Sequence, residues 1–309
     1  MRAIMVTVVL CVSAILAASP SLAADQVTAA RSPWFACATA ARVEPPPPLY
    51  LGAAAGDIEQ HARLCPAGQV PQPIGRVAPK GFPGRDREPG AMTLDYFYDD
   101  AREFRSATQT TGQYAQARPR VAAGDYHSLA EIAGESEDGA QIIEIGWTVD
   151  PSLNGDAAPH LFVFHWVDGL GTCYNACGFK QVSQTRVPGM AVTVTAKPQL
   201  YGFRFHQNKW WVAYQGEWIG YFPASLWQAN FKKLGLVQWF GEVAAGSDHP
   251  CTDMGDGKFG TKRGSAVITG MNFGAGAPAS AVPFATDARY YTIGAFTGSS
   301  YRFGGPGAC

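Results

Sequence analysis

From Met92 onward, short runs rich in aromatic and β-branched residues alternate with turn residues. Residues 94–100, 140–150, 161–169, 191–197, 201–207, 209–222 and 237–243 are predicted strands. The breaks fall at Asp150-Pro151, Asn154-Gly155-Asp156, Asp168-Gly169, Lys197-Pro198 and Gln207-Asn208. That spacing suits antiparallel hairpins and not strand–helix–strand units. One or two helical turns near residues 223–233 are the main expected exception. A fold of this pattern is all-β, an antiparallel two-sheet β-sandwich of the jelly-roll or lectin type.

The first ninety residues follow other patterns. Residues 1–24 place Arg2 before an apolar run from Ala3 to about Ala18, closed by Ser21, Ala23 and Ala24. This is the form of a secretory signal peptide. Ser19-Pro20-Ser21 interrupts the run before the roughly 20 apolar residues a membrane-spanning helix needs. Residues 25–90 are proline-rich, with Pro45 to Pro48 in one run and Pro66, Pro71, Pro73, Pro79, Pro83 and Pro89 beyond it. Extended, weakly packed chain is expected there, with a short helix at 57–64. This segment is an arm or a pro-segment. The expected catalytic sandwich is then 91–309.

Composition narrows the class. Charged residues are 16% of the chain, hydrophobic residues 47%, and the formal net charge is −1. Material for a core is ample, and no basic surface for nucleic acid is indicated. The chain is expected to be exported, extracellular or periplasmic, free of the membrane after signal removal, and monomeric. Signal removal takes Cys11 away and leaves Cys37, Cys65, Cys173, Cys177, Cys251 and Cys309. Six cysteines allow about 15 connectivities, and proximity favours Cys37–Cys65, Cys173–Cys177 and Cys251–Cys309. A metal site from Cys173, Cys177, His249 and Cys251 lacks a standard zinc spacing, so no metal or cofactor is expected.

No nucleophile elbow, zinc helix, P-loop or dinucleotide fingerprint occurs. Two glutamates in apolar strands remain. Glu144 shares a face with Ile142, Gly146 and Thr148, opposite Ile143, Ile145 and Trp147. Glu242 shares a face with Gln238 and Phe240, opposite Val237, Trp239, Gly241 and Val243. Carboxyl groups against apolar walls acquire raised pKa values, and two in one groove can divide into acid and base. Gln238, Trp147, Trp239 and Tyr221 are candidates for substrate binding or oxyanion support. Trp210, Trp211, Trp218 and Trp227 are candidate groove or core residues. His160 and His165 read as ordinary strand and loop residues, and Asp253 and Asp256 as part of a glycine-rich loop.

Several of these stretches resemble the neprosin family of secreted glutamic peptidases. The strings are IEIGWTVDPSLNGD at 143–156, GTCYN at 171–175 and CGF at 177–179. WW at 210–211, IGYFP at 219–223, QWFGEV at 238–243 and MGDGKF at 254–259 complete them. They run in family order from about Tyr126 to Ser265. The resemblance implies two catalytic glutamates, Glu144 and Glu242, facing each other across the cleft of a β-sandwich. It also implies metal-free cleavage on the carboxyl side of proline in peptides and proteins at acidic pH, and it makes Cys173–Cys177 the family's short bridge. Phe240 and Gln238 stand where plant members often carry glycine and glutamate, and the plant pro-region is longer. A jelly-roll glycoside hydrolase or lyase, or a non-catalytic binding sandwich, are the alternative readings.

Overall fold

Why the predicted strands pair as they do is visible in the computed structural model, which describes residues 34–40, 45–48, 62–77, 95–227, 231–274 and 276–309. The expected signal peptide, the prolines Pro79, Pro83 and Pro89, and most of the expected helix at 57–64 lie outside those residues. Residues 62–64 of that helix are described and are not helical.

In the arm, β1 (Phe35–Thr39) pairs with β2 (Gln69–Pro73), and β3 (Arg76–Val77) follows. The described parts of the arm thus include paired strands where weakly packed chain is expected. Pro47 is buried, its carbonyl accepting from Trp218 Nε1 at 2.9 Å.

The sandwich begins with β4 (Asp95–Ala107), β5 (Gln109–Gln116), β6 (His127–Glu135) and β7 (Ile142–Val149). One helical turn, α1 (Pro151–Asn154), is capped by Asp150, whose side chain accepts from the backbone N–H groups of Ser152 and Leu153. Then come β8 (His160–Val167), β9 (Leu170–Gly171), β10 (Cys173–Tyr174) and β11 (Lys180–Gln181). The hairpins β12 (Thr195–His206), β13 (Lys209–Tyr214) and β14 (Glu217–Pro223) follow, and a 3₁₀ turn at Ala224–Leu226 is what stands where helical turns are expected. The chain closes with β15 (Leu234–Ala245), β16 (Val267–Asn272), β17 (Val282–Ala285) and β18 (Tyr301–Arg302).

Two seven-stranded antiparallel sheets result, with orders β17-β4-β15-β6-β7-β8-β9 and β11-β14-β13-β12-β5-β16-β18. The sandwich is the architecture expected from alternation. Ile143, Ile145 and Trp147 of β7 and Val237, Trp239 and Val243 of β15 all point inward and are fully buried. Tryptophan brings a polar N–H into such a core, and it must find a partner there. Trp147 Nε1 donates to Ala115 O and Trp239 Nε1 to Thr111 O, each at 3.1 Å, so both rings tie the first sheet to β5 of the second.

Cys37–Cys65, Cys173–Cys177 and Cys251–Cys309 are disulfides, as proximity favours. Cys173, Cys177 and Cys251 are thus committed to two separate bridges and form no metal set with His249. No described helix is long and apolar enough to cross a membrane.

Candidate active site

The outward face of the first sheet carries the site. Strand alternation places His127, Leu129, Glu131 and Ala133 of β6, Glu144 of β7, and Gln238, Phe240 and Glu242 of β15 on this face. Together with Tyr98 and Asp100 of β4 and Phe162 and Trp166 of β8, most of them line a cavity of about 800 Å³. That volume lies within the range of small-ligand clefts. The cavity crosses the sheet from edge to edge. Phe284 of β17 stands at one rim, 45% exposed, and Leu170 of β9 at the other, 70% exposed.

Glu144 and Glu242 both open into this cavity and both are buried. They lie on one sheet, on a diagonal. Glu242 sits opposite Leu129 and Glu144 opposite Ala133, with β6 between them. Their surroundings differ. Glu144 Oε1 accepts one hydrogen bond, from Trp166 Nε1 at 2.7 Å. Burial raises the Glu144 pKa to about 8, against the lowering effect of the Trp166 donor, and the nearby Glu242 adds to the rise. Glu242 Oε1 bonds His127 Nε2 at 2.7 Å, and the Tyr98 hydroxyl donates to the same carboxyl group. Glu242 thus has two polar partners, whereas the single donor on Glu144, in an apolar wall, leaves it an oxygen that can hold a proton.

The other expected site residues divide. Gln238 lines the cavity, in register with Ala133 and therefore with Glu144 beyond it. Phe240 also lines it and meets Tyr98 edge-on, ring centroids 5.5 Å apart, so it fills groove space that glycine would leave open. Trp147 and Trp239 are corrected: their rings lie in the core between the sheets, on the opposite face from the glutamates. Tyr221 is also corrected, because it belongs to the second sheet and packs on Trp211 at 5.0 Å. Trp210, Trp211, Trp218 and Trp227 are buried, and none lines the cavity. His165 packs inward on Phe222, and His160 is buried with Nδ1 2.7 Å from Gly189 O.

Sequence reasoning did not find Trp166, His127 or Glu131. Trp166 has the same alternation phase as Phe162 and Phe164 and was within reach. His127 and Glu131 lie on β6, a strand that the pattern of hydrophobic positions does not announce.

The sequence model of the neprosin family matches residues 124–306, which takes in β6, β7, β15 and both glutamates. The chain belongs to the neprosin family. Membership makes it a peptidase of the glutamic type. Among solved structures, the neprosin-family chain is similar to scytalido-glutamic peptidase bound to a peptide-based transition-state analogue. That match has a TM-score of 0.38 and 10% identity over 69% of this chain and 100% of the other. It is similar also to SCP-B, a member of the eqolisin family of peptidases, in a complex with the tripeptide Ala-Ile-His (TM-score 0.36, 8% identity, 69% and 100% covered). A third match is CG-16, a homodimeric agglutinin from chicken liver (TM-score 0.28, 9% identity, 47% and 95% covered).

The Trp166 contact gives a measurable expectation. In Trp166→Phe the ionised form of Glu144 loses its donor, so its pKa rises and the proton is retained to higher pH. If Glu144 sets the alkaline limb of the kcat–pH profile, that limb should move upward by about one unit. An unmoved or lowered limb would separate Glu144 from that limb.

Proposed function

We propose that this neprosin-family chain is an exported endopeptidase that hydrolyses peptide bonds on the carboxyl side of proline in acidic medium, with Glu144 and Glu242 as its catalytic pair. The observation that carries this reading is the asymmetry of the two carboxyl groups within one cavity. Glu242, held by His127 and Tyr98, takes a proton from water and directs it at the scissile carbonyl. Glu144, kept protonated by burial, polarises that carbonyl and then protonates the leaving nitrogen. Gln238 is placed to bind the substrate backbone beside Glu144.

The pH dependence follows from these roles. Activity requires Glu144 protonated, so it falls as the pH rises through about 8. The three disulfides suit an oxidising compartment outside the cytoplasm. Phe284 and Leu170 at the rims, with Phe240 on the floor, offer apolar surface to the rings of proline-rich substrates.

A peptide library digested at acidic pH and read by mass spectrometry tests the specificity. Cleavage concentrated after proline is the expected result. Cuts spread over all residues would leave a glutamic peptidase without proline preference, and release of sugars from polysaccharides instead would favour the glycosidase alternative.

A further inference from the structure

Glu131 is a further buried carboxyl group lining the cavity, with Asp100, Glu144 and Glu242, and its position is set by register. On β6 it lies between Leu129, which faces Glu242, and Ala133, which faces Glu144. It is therefore the midpoint of the diagonal that joins the proposed catalytic pair. Diagonal neighbours on a sheet are about 7–8 Å apart, within reach of long side chains. A peptide group held between Glu144 and Glu242 would sit over Glu131.

The sheet makes room for it. The residue opposite Glu131 on β7 is Gly146. A Cβ at Gly146 would come within 2.6 Å of Glu131 Cβ and 2.3 Å of Ala130 O. The glycine thus admits the base of the glutamate where any other residue would collide. The carboxyl group itself lines the cavity. No hydrogen bond from the described residues reaches it. Burying an uncompensated carboxyl group is costly, and nothing in the packing requires an acid here.

We propose that Glu131 is a third functional carboxyl group of the cleft, an uncharged hydrogen-bond donor aimed at the negative charge that develops between Glu144 and Glu242 during hydrolysis. The proposal rests on the reading of those two residues as the catalytic pair. Its neutral form follows from what surrounds it. Glu144 faces it from β7, Glu242 from β15, and Asp100 with Arg102 and Tyr98 from β4. His127 and Glu135 flank it on its own strand, and Tyr174 of β10 faces the same group of acids. Arg102 is bonded to Asp100 at 2.7 Å and is turned to that partner. Burial first, and then the charges of Glu144 and Glu242, push the Glu131 pKa well above the usual carboxylate range. A protonated carboxyl in such a place supplies an O–H donor that water would otherwise weaken.

Two variants separate the roles. Glu131→Gln keeps a donor without a charge, and Glu131→Met keeps the volume without either. The expected result is a kcat reduced less than about tenfold in E131Q and about 100-fold or more in E131M, with KM little changed in both. Equal retention in both would reduce Glu131 to packing and overturn the proposal. An equal loss of about 100-fold in both would mean the ionised form is needed, and would overturn it too. Should E131M fail to fold by circular dichroism, infrared difference spectra of the wild type against E131Q at neutral pH decide. A protonated-carboxyl band absent from E131Q supports the proposal, and its absence from the wild type overturns it. Glu144→Gln and Glu242→Gln are assayed alongside. Full activity in those two would sink the catalytic pair, while the contrast between glutamine and methionine at 131 is read independently.

Discussion

Glu144→Gln and Glu242→Gln should each lower kcat on a proline-containing peptide by about a thousandfold or more at acidic pH, with the fold intact. Glutamine preserves the shape of each side chain and the acceptor oxygen that Trp166 or His127 engages. What it removes is the proton chemistry. On the proposed roles, E242Q lacks the base that activates water and E144Q lacks the acid that releases the amine. The double variant should be little worse than either single one, because the two groups act in one step. Far-ultraviolet circular dichroism and peptide turnover together check this. Wild-type kcat in either variant would remove that residue from the chemistry.

A second large effect concerns stability. Burial raises the pKa of four acids: Glu131 well above the usual range, Glu144 to about 8, and Asp99 and Asp100 to about 7. For an acid with a raised folded pKa, stability is complete below the unfolded value, near 4, and is lost as pH climbs through the folded value. His165 works the other way. Burial lowers its pKa to about 4, so it costs stability as pH falls below the ordinary histidine range. Four acids outweigh one histidine. The exposed Asp287–Arg289 pair is screened by solvent and alters the balance little. The melting temperature near pH 4.5 should therefore exceed that near pH 8 by on the order of 10 °C. E144Q should narrow this gap by melting higher than the wild type near pH 8. A protein more stable near pH 8 than near pH 4.5 would overturn the expectation. Acid stability and acid chemistry would then share one cause, the burial of carboxyl groups on and beside β4, β6 and β7.

Much of this was legible in the chain. Alternation in residues 142–149 and 237–243 sorted the positions into two faces and set Trp147 and Trp239 opposite the glutamates, but did not tell which face is inward, so both were expected at the cleft and lie in the core. β6 was not legible. Its sequence, His127–Glu135, reads HSLAEIAGE. Alanine, leucine and glutamate favour helix in isolation, and glycine favours neither state. Pairing on both sides, with β15 and β7, overrides those local preferences. The central strand of the site was also hidden by its small residues, Ser128, Ala130, Ala133 and Gly134. Ala133 and Gly134 leave space for the neighbours' long side chains, and small residues carry little hydrophobic signal. The partner of Glu144 was missed for another reason: Trp166 shares its phase with Phe162 and Phe164, but β8 is so uniformly apolar that nothing marked that face as the outward one.

The pairing of β3 with β10 has a consequence of its own. Arg76 lies opposite Tyr174, a cavity residue, so the arm supports one wall of the cleft. Its disulfide, Cys37–Cys65, closes within the arm itself, and the other two close within the sandwich. Only the continuous backbone ties the two parts covalently. One cut between Val77 and Asp95 would turn the arm from a segment of the enzyme into its ligand. From then on the Tyr174 wall would be governed by a dissociation constant, and dilution alone would become a means of control.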